Sequence, residues 1–66
     1  MGGWKYTNEA LPDDGATVEI WYYTACMLAY HTGGGWTAVA EWRGGALIPI
    51  APTLLPEPVL NWREYR

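Results

Sequence analysis

Apolar and polar positions alternate with a period of two over residues 16–24. Val18, Ile20 and Tyr22 fall on one side and Thr17, Glu19, Trp21 and Tyr23 on the other, the pattern of a strand whose successive side chains point to opposite faces. Aromatic residues occur on both sides, which predicts a central strand with both faces covered. A second strand is predicted over Cys26 to His31 and a third over Trp36 to Trp42. Between them Thr32-Gly33-Gly34-Gly35 supplies residues that accept the positive φ angles of a hairpin loop. Ahead of these strands, Trp4 to Thr7 is a short extended candidate, and Leu11-Pro12-Asp13-Asp14-Gly15 has the chemistry of a tight turn.

Past Trp42 the alternation weakens. Arg43-Gly44-Gly45 breaks the third strand, and residues 46–58 carry four prolines. Proline lacks an N–H and fixes φ, so this segment is neither helix nor central strand. Leu47 to Ile50 is expected to pair briefly at an edge, and the rest to cross the sheet in extended form, pinned by Leu54 and Leu55. Val59 to Arg63 is a final short strand, with Glu64-Tyr65-Arg66 expected to fray. No sustained 3.6-residue period or internal repeat is present. Residues 1–66 therefore read as one all-β domain: a small antiparallel meander of four to five strands, forming a curled sheet or an open SH3-like barrel with a Pro-rich crossing segment.

Size sharpens the picture. A domain of 66 residues buries only about 60% of the surface its unfolded chain exposes. Cys26 is the one cysteine, which excludes a disulfide within the chain, and no Cys/His cluster could hold a structural zinc. Half the residues are hydrophobic, 17% are charged, and five Trp and five Tyr stand in so short a chain. Each pairs a large apolar body with one hydrogen-bonding group. So much aromatic surface predicts a homo-oligomer.

Net charge is −3 and the only cations are Lys5, Arg43, Arg63 and Arg66, too few to neutralise the phosphates of a nucleic-acid duplex. Seven carboxylates are too sparse to mimic DNA, which carries a charge about every 1.7 Å of its axis. With no apolar run near the ~20 residues of a membrane span and no signal-peptide pattern, the expected location is the cytoplasm, and the lone thiol agrees.

Catalytic and metal chemistry find little to stand on. Cys26 and His31 are the only Cys–His pair, and their odd separation puts them on opposite faces of one strand. Asp13-Asp14-Gly15 offers too few oxygens for calcium and reads as a turn. Gly33-Gly34-Gly35 lacks the following Lys and helix of a phosphate-binding loop. No catalytic residue, metal or cofactor is assigned. A different pattern stands out: Trp4-Lys5, Trp42-Arg43 and Trp62-Arg63 each place a cation directly after a Trp. The structural reading puts Trp inward and the cation outward. The functional reading brings Lys5, Arg43 and Arg63 together as a small cationic patch, with Trp42 beside it and Trp21, Tyr23 and Tyr30 free to stack on a ligand. These seven residues are the candidate binding set.

Trp4, Leu11-Pro12-Asp13-Asp14-Gly15, Val18-Glu19-Ile20, Ala29-Tyr30, Trp36 and the closing Val59-Leu60-Asn61-Trp62 follow an order that resembles the small phage and prophage proteins grouped as domain of unknown function 551. That pattern has an opening Trp, an L-P-x-x-G turn, a V-x-V strand and a closing V-T-H-W. This chain departs at its end, where Leu60-Asn61 stands for the usual Thr-His and Arg63-Glu64-Tyr65 for the apolar-Pro tail. The resemblance implies a mobile-element origin and expression in the host cytosol, and no reaction. The expectation is a non-enzymatic phage-type accessory protein that binds a host protein or a phosphorylated, nucleotide-like signal, in the role of a host-defence inhibitor. The alternative is a structural or assembly oligomer without a small-molecule ligand.

Overall fold

The computed structural model describes residues 3–65. Six strands form one antiparallel sheet: β1 (Lys5–Tyr6), β2 (Thr17–Tyr22), β3 (Ala25–Thr32), β4 (Gly35–Arg43), β5 (Ala46–Leu54) and β6 (Asn61–Glu64). Their spatial order is β1-β6-β2-β3-β4-β5. The all-β class and the antiparallel meander of β2 to β5 agree with the sequence; there is one strand more than expected, and the sheet does not close into a barrel.

Three two-residue loops set the register of the meander. Gly33-Gly34 and Gly44-Gly45 take φ of 56° and 83°, and 57° and 82°, the doubly positive pattern that matches the twist of the flanking strands. Gly44-Gly45 thus joins β4 to β5 rather than merely ending a strand. The third loop, Tyr23-Thr24, falls inside the span that the alternation predicts as strand. Here Tyr22 pairs with Ala25, and Tyr23 takes a φ of 54°, an outlier for a bulky L-residue.

The proline-rich segment pairs more than expected, because β5 runs nine residues along the edge. The tight Gly44-Gly45 loop makes Arg43 and Ala46 a hydrogen-bonded pair, so alternation leaves Ala40 and Pro49 opposite each other as a non-bonded pair. The nitrogen of Pro49 therefore faces outward, where no ladder bond is lost. Crossing is left to residues 55–60. Leu55 packs against the core and its N–H donates to the Trp36 carbonyl at 2.8 Å, whereas Leu54 is exposed and pins nothing. Val59 belongs to this crossing and is buried rather than on the last strand. Glu64, expected to fray, pairs with Val18 in β6; Arg66 lies outside the described residues.

The core is one face of the sheet. Val18, Ile20, Ala29, Trp36, Ala38 and Trp62 meet Val59 from the crossing segment. Residues 7–16 cover the other end, where the Trp62 indole Nε1 donates to the Ala10 carbonyl at 2.9 Å. In that segment Ala16 N–H donates to the Asp13 carbonyl at 3.0 Å, the tight turn read from the sequence. Strand β2 is interior to the sheet but covered on one face only, since Trp21 stays open to solvent.

Candidate functional site

Both connecting segments lie on the core face, leaving the opposite face to its own side chains. Cross-strand partners share a face, so the register reads across it. Arg63 pairs with Glu19, Glu19 with Leu28, Leu28 with Ala40 and Ala40 with Pro49. A second row holds Tyr6, Asn61, Trp21 and Cys26. Tyr30 pairs with Thr37 on one side of the middle row, and Trp42 with Leu47 on the other. Glu19, Leu28 and Ala40 form a buried floor, while Tyr6, Trp21 and Trp42 are 60%, 48% and 39% exposed. Exposed aromatic surface of this kind makes the face a candidate interaction surface.

Of the candidate binding residues, this open face gathers Trp21, Tyr30, Trp42 and Arg63. Lys5 and Arg43 stand apart from them, Tyr23 sits in the β2–β3 turn and borders Trp21 there, and the three cations do not meet. Arg63 Nε donates to Glu19 Oε1 at 2.5 Å, and Arg43 Nε to Glu41 Oε2 at 2.6 Å beside the β4–β5 hairpin. Lys5 Nζ lies 3.8 Å from Glu64 Oε2. The expected cationic patch is three separate ion pairs, with Arg43 three strands away from Arg63 across the sheet.

The Trp–cation dipeptides have a structural explanation on two of the three strands. Lys5 pairs with Trp62, which places its Nζ 4.7 Å from the centre of that indole. One residue back in the same register Trp4 comes opposite Arg63, whose guanidinium lies 4.7 Å from the Trp4 ring centre. Each dipeptide supplies the cation for the other's indole, a reciprocal contact that fastens the two-residue β1 to β6. Trp62 is inward as expected, whereas Trp4 and Trp42 are not.

Cys26 and His31 do not meet. Cys26 pairs with Trp21 on the open face, and the His31 ring packs on Trp36 of the core face at 5.0 Å and 62°. Burial first, and Glu19 second, push the Cys26 thiol above its ordinary value, against a lowering by Arg63. Among the described residues no group of three or more His, Cys, Asp or Glu is placed to hold a metal ion.

A groove of about 330 Å³ lies at the β2–β3 hairpin, lined by Trp21, Tyr22, Tyr23, Glu57, Pro58, Leu60 and Asn61. The Tyr22 and Tyr23 rings meet edge to face at 4.7 Å and 71°, and the Glu57 N–H donates to the Tyr22 hydroxyl at 3.2 Å. Loss of hydration, then the nearby Glu57 and Tyr22, raise the Tyr23 phenol above its ordinary value. Sequence reading singled out Trp21 and Tyr23 here but not Glu57 or Asn61, which arrive from the crossing segment and β6. No family model, curated protein or solved structure matches this chain. The described residues contain no helix long and apolar enough to cross a membrane.

Proposed function

We propose that this chain is a non-enzymatic binding module that grips a partner protein, a second copy of itself included, with the open face of its sheet. The observation that carries the reading is the set of exposed aromatic side chains on one face of one sheet, Tyr6, Trp21 and Trp42, with both connecting segments on the other face. Trp and Tyr at the centre of an apolar patch are the residue types that dominate binding energy at interfaces. A protein partner is favoured over a phosphorylated signal, because Lys5, Arg43 and Arg63 each already face a carboxylate. The role of phage-type accessory protein and host-defence inhibitor is part of the proposal, supported by the resemblance to domain of unknown function 551 alone.

Light scattering during size-exclusion chromatography tests the self-association. Wild type is expected above the 7.4 kDa of one chain, with Trp21→Ser/Trp42→Ser shifted to monomer while its circular dichroism is unchanged. A monomeric wild type that also captures no host protein on an affinity column overturns the reading. A thermal shift with nucleoside phosphates, lost in Arg63→Ala, would redirect it to the phosphorylated signal.

A further inference from the structure

We propose that the groove at the β2–β3 hairpin is a recognition site for an organic ammonium group, either a free quaternary amine or the alkylated amino group of a lysine side chain. This site goes beyond the open-face reading and shares only Trp21 and Asn61 with that face.

Three observations converge on it. The first is the wall: the Tyr22 and Tyr23 rings meet in the concavity, with Trp21 lining it from the opposite side of β2, and an ammonium is attracted to the negative face of such electron-rich rings. The perpendicular Tyr22–Tyr23 contact makes a corner rather than a flat stack, and Tyr23 is 68% exposed, so its ring keeps a face open to solvent. The second is charge. Glu57 lines the groove and forms no ion pair among the described residues, whereas Lys5, Arg43 and Arg63 are all engaged with other carboxylates. The concavity therefore joins aromatic faces to a free negative charge, and the Glu57 N–H bond to the Tyr22 hydroxyl ties that carboxylate's residue to the corner. The third is backbone conformation. Tyr23 holds a φ of 54°, which a bulky side chain adopts at a cost, and such positions cluster where a side chain is being presented for use.

The volume, about 330 Å³, is at the small end of ligand pockets. It suits a headgroup of one nitrogen and its alkyl substituents. Asn61 supplies the polar group that could bond to a neighbouring hydroxyl or amide of the same ligand.

The test is a two-dimensional ¹H–¹⁵N titration that follows the Trp21 indole N–H, assigned with Trp21→Phe. Tetramethylammonium and choline are expected to give a saturable shift at constant ionic strength. The uncharged isostere 3,3-dimethylbutan-1-ol is expected to bind about tenfold more weakly, because it lacks the attraction between cation and ring. Glu57→Gln should weaken choline several-fold, Tyr23→Asn should abolish the saturable shift, and Trp42→Ser should leave it unchanged. The last variant keeps this site apart from the open face: self-association lost with choline binding retained sinks neither, and choline binding lost in Tyr23→Asn alone leaves the open-face reading untouched. A short trimethyl-lysine peptide binding well above choline identifies a protein side chain as the source, and equal binding identifies a free amine. No saturable shift with either cation, equal binding of the neutral isostere, or full binding in Glu57→Gln and Tyr23→Asn overturns the proposal.

Discussion

Tyr23 separates what a side chain does for the fold from what it does for a ligand. Its left-handed φ is unfavourable for any residue with a bulky Cβ substituent, whereas Asn accepts that region. Replacing it with Asn or with Ala deletes the same ring and its edge contact with Tyr22, but only Asn relieves the backbone. Tyr23→Asn is therefore expected to be more stable than Tyr23→Ala by about 1 kcal/mol in urea unfolding. At Cys26, burial and the neighbouring Glu19 hold the thiol above its ordinary value. Less thiolate is then present at neutral pH than for a free cysteine, so alkylation by iodoacetamide should be slower and its rate should rise only at higher pH. Glu19→Gln removes a raising contribution and leaves Arg63, so the rate profile should move back toward lower pH.

Among the described residues, β6 carries the one ion pair with a buried member. Glu19 is buried and Arg63 half-open. Removing Arg63 alone strands a carboxylate, and Arg63→Met should cost about 1–2 kcal/mol, less than for a fully buried pair because solvent reaches the guanidinium. Glu19→Leu together with Arg63→Met should return to within about 1 kcal/mol of wild type. A double-mutant cycle in urea reads both values. The strand boundaries were legible where they were written in glycine: Gly33-Gly34 as a hairpin loop, and Gly44-Gly45 as the end of a strand, though not as the hairpin into β5. The Tyr23-Thr24 turn was not, because neither residue favours a turn and the alternation runs straight into it. Nor was the length of β5. Its prolines argue against a strand unless one knows that it is an edge and which way Pro49 faces, and that depends on the neighbouring strand. For the site, period two correctly separated Trp21 from Ile20 and Cys26 from His31. Only the register between strands could bring Trp21, Tyr30, Trp42 and Arg63 to one face and leave Arg43 remote, and that register follows from loops that were partly missed.

For the molecule as a whole, the open sheet has two unpaired sides, β1 and β5. β1 is two residues long, and Pro49 removes a donor from the outer side of β5, both familiar ways to discourage edge-to-edge assembly. On the proposed reading, association is thereby left to the aromatic face. Pro49→Val restores the outward N–H and should give larger, thioflavin-positive aggregates than wild type at the same concentration; an unchanged mass distribution would show that Pro49 does not protect this side. The reciprocal pairing of Trp4 with Arg63 and Lys5 with Trp62 bears on a different property. It sets the N-terminal end of β1 beside the C-terminal end of β6, so a force applied to residues 3 and 65 peels these strands apart one contact after another instead of loading all their bonds in shear. Stretched from those handles in an optical trap, the domain should open at low tension, beginning at the two indoles.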